Sequence, residues 1–586
     1  MKRILLAAVN AKYIHSNLAV FSLRAYAQER GIPVELAEYT INQSKDEIMK
    51  GIFQSKPDVL CFSCYIWNIS FVRELITDLH KVLPATEIWV GGPEVSYDAV
   101  KVLEENPGIS GVMRGEGEKT FAELAAWFML RNGDGSGREV ENHPEINEIL
   151  GITYRNQQGL IQINPDRGIM DLSEVPFPYE DLQDFDHRII YYESSRGCPF
   201  SCSYCLSSID KRLRFRNLEL VKKELQFLID HKVPQVKFVD RTFNCKKEHA
   251  MEIWQYLLDS DYGVTNFHFE IAADLITEEE LALLAKMRPG LVQLEIGVQS
   301  TNLKTLEAIK RKMDFDKVGE IVQKIQESHN IHQHLDLIAG LPYEDYESFS
   351  KSFQDVYSLH PQQLQLGFLK VLKGSYMEEH LEEYKGIYQN KEPYEILATR
   401  WLPYEDVLRL KQVEEMVEVY YNSGQFQNLM KAMEEKYANM FQFFACLGEV
   451  YEERGYLKLS HTRIRRYEIL LDFLKERFPE EIQKFRELAV LDVYARENAK
   501  SRPSFADDLG NYKEQRKKFF QQEEGTRELL PSYKEYDWKQ MMKMTHVEIL
   551  SSVSKERKAV LFDYKVRDPL TGSARQIDVT ERMHWY

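Results

Sequence analysis

Three cysteines crowd one short stretch, Ser195-Arg-Gly-Cys198-Pro-Phe-Ser-Cys202-Ser-Tyr-Cys205. A 4Fe–4S cube takes one thiolate per iron, four in all. Three thiolates leave one iron open to a small molecule. A methionine moiety, with one amine and one carboxylate, can chelate that iron and bring a sulfonium close to the cluster. A reduced cluster can then deliver an electron and break a carbon–sulfur bond, while the protein supplies position and electrostatics. The competing reading is zinc, which prefers four ligands in two short-spaced pairs. Here the spacing is three intervening residues and then two, with no second pair nearby. Cys245, the one conceivable fourth ligand, lies a strand–helix unit further on.

The elements around the cysteines explain how they are positioned. The stretch follows an apolar run, Ile189–Ser194, the first of six candidate strands. The others are Val236–Val239, Phe267–Ala272, Val292–Val298, His332–Ile338 and Leu364–Val371. Helical spacing fills the intervals, as in Leu218–His231, Glu278–Met287, Thr301–Ile309 and Phe315–Glu327. Six βα units in about 185 residues predict a partial β/α barrel over 189–373, short of the ~250 residues of an eight-fold one. The cysteine loop then sits at the carboxyl end of the first barrel strand, where such barrels place their catalytic loops.

Residues 1–130 repeat strand and helix five times, with apolar runs Ile4–Val9, Val34–Tyr39, Val59–Tyr65, Glu87–Val90 and Gly111–Met113. The pattern predicts an α/β fold, a doubly wound, flavodoxin-like parallel sheet whose ligand lies beyond the carboxyl ends of its strands. Three loops fall there: Ser63-Cys-Tyr65-Ile-Trp67-Asn68, Val90-Gly91-Gly92-Pro-Glu94 and Arg114-Gly115-Glu116-Gly117-Glu118. Their glycines let backbone approach a large flat ring. Residues 131–188 read as a linker. It opens with the turn-rich Asn132–Arg138, contains a small β element around Gln157-Gln-Gly159, and ends in Val175-Pro-Phe-Pro178. Residues 374–586 read as a mainly helical domain closed by a hairpin, Ala559–Tyr564 with Ala574–Val579. Glu414–Tyr421 reads as a packing face, and the domain's expected role is to cap the barrel mouth and select the substrate.

The cysteine stretch resembles the signature of the radical S-adenosylmethionine superfamily, Cys-x-x-x-Cys-x-aromatic-Cys, with Tyr204 at the aromatic position. The resemblance covers the whole barrel and implies that Cys198, Cys202 and Cys205 hold a 4Fe–4S cluster and that Tyr204 contacts adenine. It further implies S-adenosylmethionine contacts at Asp240 in Lys237-Phe-Val-Asp240, at Glu295 and Gln299 after Leu294, and at Gly340 in Asp336-Leu-Ile-Ala-Gly340. A doubly wound domain followed by this barrel resembles the cobalamin-binding class of that superfamily. That resemblance implies cobalamin contacts at Ser63, Tyr65, Trp67, Asn68, Gly91, Gly92, Gly115, Glu116 and Gly117. Cobalamin domains with a histidine below the cobalt carry Asp-x-His-x-x-Gly; around His15 this chain has Tyr13 and Leu18 instead. The shell that orients a ligating histidine is therefore missing, and His15 is not expected on the metal.

The implied activity is methyl transfer to an unreactive carbon through a substrate radical. The alternatives are a cobalamin-assisted rearrangement or redox step, and methylthiotransferase-like modification of RNA or protein. The last wants three N-terminal cysteines, where this chain has only Cys61 and Cys64. A net charge of −17 argues against nucleic acid and for a small-molecule or peptide substrate. The short basic run Lys211, Arg212, Arg214, Arg216 reads as the solvated start of a helix. A reductant such as flavodoxin or ferredoxin is the expected partner. With no run of about 18 apolar residues, no membrane span is expected. Seven cysteines without a secretory leader fit a reducing cytoplasm. The sequence names no catalytic side chain and no substrate.

Overall fold

The computed structural model describes residues 2–130, 145–179, 181–553 and 557–585; the turn-rich stretch 132–138 lies outside them. Strands β1 (Ile4–Asn10), β2 (Glu35–Thr40), β3 (Val59–Ser63), β4 (Glu87–Gly91) and β5 (Gly111–Met113) form a parallel sheet in the order β2-β1-β3-β4-β5. β1 and β3 are buried along their whole length, because helices cover both faces of the sheet. Strand order reverses between β1 and β3, so the ligand crevice of such a sheet lies at their carboxyl ends.

The small β element of the linker joins this sheet. β6 (Ile152–Arg155) and β7 (Ile161–Ile163) add antiparallel to the edge beyond β5.

The barrel begins with β8 (Ile190–Tyr192). A two-residue ladder, β9 (Ser195–Arg196) with β10 (Arg214–Phe215), closes the base of the cysteine loop. Then follow β11 (Gln235–Phe238), β12 (Asn266–Ile271), β13 (Val292–Gln299), β14 (His332–Ala339) and β15 (Gln363–Phe368). The six barrel strands are parallel and lie in chain order, β8-β11-β12-β13-β14-β15.

After β15 the chain makes a strap that includes β16 (Ile387–Tyr388) and β17 (Ile396–Ala398). Met377 N–H bonds Ser203 O in the cysteine loop at 2.8 Å. Tyr394 Oη donates to Glu94 in the first domain at 3.0 Å, and Ile396 packs against Gly340 at the end of β14. The strap thus touches both halves of the site. Helices from Tyr404–Val417 to Lys513–Thr526 follow. Val413, Met416, Val417 and Tyr420 are buried, so this face packs. The terminal hairpin is a three-stranded antiparallel sheet: β18 (His546–Leu550), buried throughout, pairs with β19 (Lys558–Arg567), which pairs with β20 (Ala574–Asp578). No helix among the described residues is long and apolar enough to cross a membrane.

Candidate active site

Cys198, Cys202 and Cys205 share one wall of a cavity of about 180 Å³ with Phe200 and Tyr204. Thr242, Gly297, Gln299 and Arg311 also line it. The loop is held by its backbone. Gly197 has φ +97, and a Cβ there would stand 2.7 Å from Arg212 O, so only glycine fits the turn that presents Cys198. Ser208 Oγ donates to Cys202 O and Cys205 O at 2.9 and 2.6 Å. Asp240 fixes the loop from beneath. It is fully buried and accepts from Ser194 N–H, Ser194 Oγ and Ser195 Oγ at 2.9, 2.7 and 2.5 Å. Burial pushes its carboxyl up to about 6 against these donors. The Asp240 side chain therefore works on the protein, and only its backbone is left for a ligand.

Arg311 escaped the sequence reading. Its Nη1 lies 3.6 Å from Cys202 Sγ and 3.4 Å from Tyr204 Oη, and its Nη2 bonds Gly297 O. Its Nε is buried without a partner. A guanidinium facing thiols, with no carboxylate on it among the described residues, is complementary to an anionic occupant such as a thiolate-ligated cluster or a ligand carboxylate. Gln299 adds a second unsatisfied group. It ends β13 after a bulge, at φ +75, with its Oε1 buried and unpartnered. Strain and an orphan acceptor at a cavity rim are characteristic of a ligand contact. The residues present thus fit a cluster with an adenosyl ligand beside it. Glu295 faces the same cavity, but Lys237 and His268 engage it. Gly340 is packed under Ile396 at φ +85.

In the first domain, Tyr65 and Trp67 stack 4.4 Å apart at 6° beyond β3, with Trp67 42% exposed. An exposed aromatic face at the strand-order crevice fits a large flat ring. Asn68 is used internally: its amide bonds Val9 O, Ser63 O and Tyr65 N–H at 2.9, 3.0 and 2.8 Å, which ties β1 to β3. Ser63 Oγ accepts from Asn17. Gly115, at φ +72, faces open space.

Glu116 and Glu118 join the two domains. Arg196 pairs with Glu118 at 2.8 Å and Glu116 at 3.6 Å, and Arg214 also pairs with Glu116. The basic run is therefore not a solvated helix start. Arg212 is exposed, but Arg214 is half-buried against Glu116 and Arg216 is buried against Glu224. The seam continues at His15, whose Nδ1 lies 2.7 Å from Tyr191 Oη and whose backbone bridges Ile189. Burial first and Cys205 second push the Tyr97 hydroxyl up, and burial pushes the Tyr65 hydroxyl up to about 12.

His15→Ala should leave the paramagnetic spectrum of a cob(II)alamin form unchanged. It should weaken the seam by about 0.5–1.5 kcal/mol in denaturant unfolding, the worth of one hydrogen bond. Loss of nitrogen coupling in that spectrum would instead put His15 on the metal.

Three segments of the chain match known families. Residues 4–125 match the profile "B12 binding domain", 192–356 match "Radical SAM superfamily", and 382–562 match a "Protein of unknown function" family. A 2-(S-pantetheinyl)-carbapenam-3-carboxylate methyltransferase of Streptantibioticus cattleyicolor is 27% identical over 56% of this chain and 49% of its own. An anaerobic magnesium-protoporphyrin IX monomethyl ester cyclase of Synechocystis is 26% identical over 44% of this chain and 51% of its own. The chain spans about half the length of the curated relatives it matches. The solved cobalamin-dependent S-adenosylmethionine radical enzyme OxsB, with aqua-cobalamin and S-adenosylmethionine bound, shares the fold. Its TM-score is 0.59 at 16% identity, over 83% of this chain and 79% of that one.

Proposed function

We propose that this chain, which matches the B12-binding profile over residues 4–125 and the radical S-adenosylmethionine profile over 192–356, is a cobalamin-dependent radical enzyme that methylates an unreactive carbon. The observation that carries the reading is the juxtaposition of the two halves. Three thiols, Tyr204 and Arg311 face one cavity, and the Arg196–Glu118 and Arg214–Glu116 pairs pin their loop to the carboxyl edge of the first sheet.

When bound, the 4Fe–4S cluster supplies the electron that cleaves S-adenosylmethionine, and cobalamin carries the methyl group. Cys198, Cys202 and Cys205 hold the cluster. Tyr204 covers the adenine, Gln299 Oε1 and the Gly297 backbone accept from the ligand's polar edge, and Arg311 balances negative charge beside Cys202. Orientation of this kind is the main kinetic contribution a protein makes to such chemistry. Tyr65 and Trp67 would present a flat surface to the corrin, Gly115 faces open space, and Gly92 lets the loop after β4 lie against the backbone of Cys64, with Gly91 beside Met113.

We place the protein in the cytoplasm, reduced by a flavodoxin or ferredoxin, since all seven cysteines are free thiols. Its substrate is a small molecule or peptide. The relatives include both a methyltransferase and a ring cyclase, so the cobalamin-assisted reaction without methyl transfer is the second reading.

Dithionite-reduced holoenzyme should release 5′-deoxyadenosine and methionine from S-adenosylmethionine slowly when no substrate is added. With methyl-labelled cofactor and substrate, label should enter the product and S-adenosylhomocysteine should accumulate. Unlabelled product would favour the second reading. No 5′-deoxyadenosine from protein with a full cluster would remove both.

A further inference from the structure

Deeper in the barrel, beneath the cysteine loop, lies a group of side chains that the proposed reaction does not use. Strand register sets Glu270, Glu295 and His334 in one row across β12, β13 and β14. His268 and Asp336 stand two residues from members of that row, on the same faces of their strands. Glu295, His334 and Asp336 each offer one ligand atom, and those atoms all lie within 4.8 Å of one another. His268 Nε2 is 2.9 Å from Glu295 Oε2.

The directions of these groups matter as much as the distances. Both imidazoles are buried, each side chain 8% exposed. His334 Nε2 is 3.0 Å from Asp336 Oδ1, yet neither atom makes a hydrogen bond of acceptable direction, and neither does His268 Nε2. His268 Nε2, His334 Nε2 and Asp336 Oδ1 thus sit at ion-pair distance from a neighbour without the direction a hydrogen bond needs. The ligand atoms of Glu295, His334 and Asp336 lie close enough together to reach one ion. Lys237 holds Glu295 at 2.9 Å, and Arg241 stands 4.0 Å from Glu270, whose carboxyl is pushed up to about 7 by burial.

We propose that Glu295, His334 and Asp336 bind a divalent transition-metal ion in the floor of the barrel cavity, separate from the three-cysteine site. One imidazole with two carboxylates suits Zn²⁺, Fe²⁺ or Mn²⁺. The imidazole disfavours Ca²⁺ and Mg²⁺, which want oxygen ligands. Glu295 exchanges its contact with Lys237 for the ion. Because the site adjoins the proposed adenosyl and substrate space, an ion there would orient a substrate carboxylate or hydroxyl.

The test uses full-length holoenzyme exposed to Zn²⁺, desalted, and analysed for metals by mass spectrometry. One zinc per chain is expected beyond the iron that matches acid-labile sulfide. His334→Ala and Asp336→Asn should each lower zinc affinity by at least about tenfold, the loss that even outer-shell changes produce, with iron, sulfide and cobalamin contents unchanged. Lys237→Ala, which removes a competing cation, should raise zinc affinity. A damaged fold cannot produce opposite effects of this kind. Holoenzyme that takes up no zinc, or variants that hold it as tightly as the parent, would overturn the site. Neither outcome bears on cleavage of S-adenosylmethionine.

Discussion

Replacing Cys198, Cys202 and Cys205 together by alanine is expected to remove the whole iron and sulfide content and the broad absorbance near about 400 nm that thiolate-ligated clusters give. Release of 5′-deoxyadenosine should fall to background, a loss of about six orders of magnitude or more if the enzyme is of ordinary efficiency. The fold should survive. The loop is held by the β9–β10 ladder, by Gly197 and by the Asp240 carboxylate under Ser194 and Ser195, none of which depends on a thiol. The readouts are iron and sulfide analysis with far-ultraviolet circular dichroism as control. A variant that is folded and keeps its full iron and sulfide would refute the ligand assignment.

Gly92 and Gly91 should respond in opposite ways. Gly92 has φ +113, and a Cβ there would stand 2.5 Å from Cys64 O, a backbone atom that cannot give way. Gly92→Val should therefore displace the β3 and β4 loops from each other, with about 1–3 kcal/mol of backbone strain before the clash is counted. Both thermal stability and cobalamin retention on a sizing column should drop. A Cβ on Gly91 would meet Met113 at 3.5 Å, an ordinary contact. Gly91→Ala should keep the fold, so any loss of cobalamin from it reports on the ligand alone. Unchanged retention in both variants would count against a cobalamin site at this edge.

These two sites differ in how they could be read. The cysteine spacing is local, and its meaning survives without the fold. The barrel and sheet strands were also legible, because strands covered on both faces are apolar throughout, as β1 and β3 are. What depended on distant partners was not. β6 and β7 looked like a linker hairpin, since nothing local says that β5 leaves an open edge for them. Arg214 and Arg216 looked solvated because their carboxylates, Glu116 and Glu224, reach them only in the fold. The place of Asp240 after a strand was legible, but not that its carboxylate is turned under the loop and leaves only its backbone for a ligand. Arg311 sat in an unremarked basic run, and only the barrel brings it to Cys202. The histidines of β12 and β14 alternate as any strand residues would, and only strand register aligns them with Glu295.

The strap carries a consequence for the order in which the protein is assembled. Tyr394 and Glu94, which it joins, are 300 positions apart in the chain. At ~5–20 residues per second, a ribosome needs about 15–60 s to pass from one to the other. Throughout that interval the loops of the first domain exist without their latch. Cobalamin present during synthesis can reach the sheet edge before the strap arrives. Cobalamin added to finished apoprotein meets the sheet edge with the Tyr394–Glu94 contact already made. Loading during expression and loading afterwards are thus different kinetic problems for this chain, and the latch, arriving late, separates them.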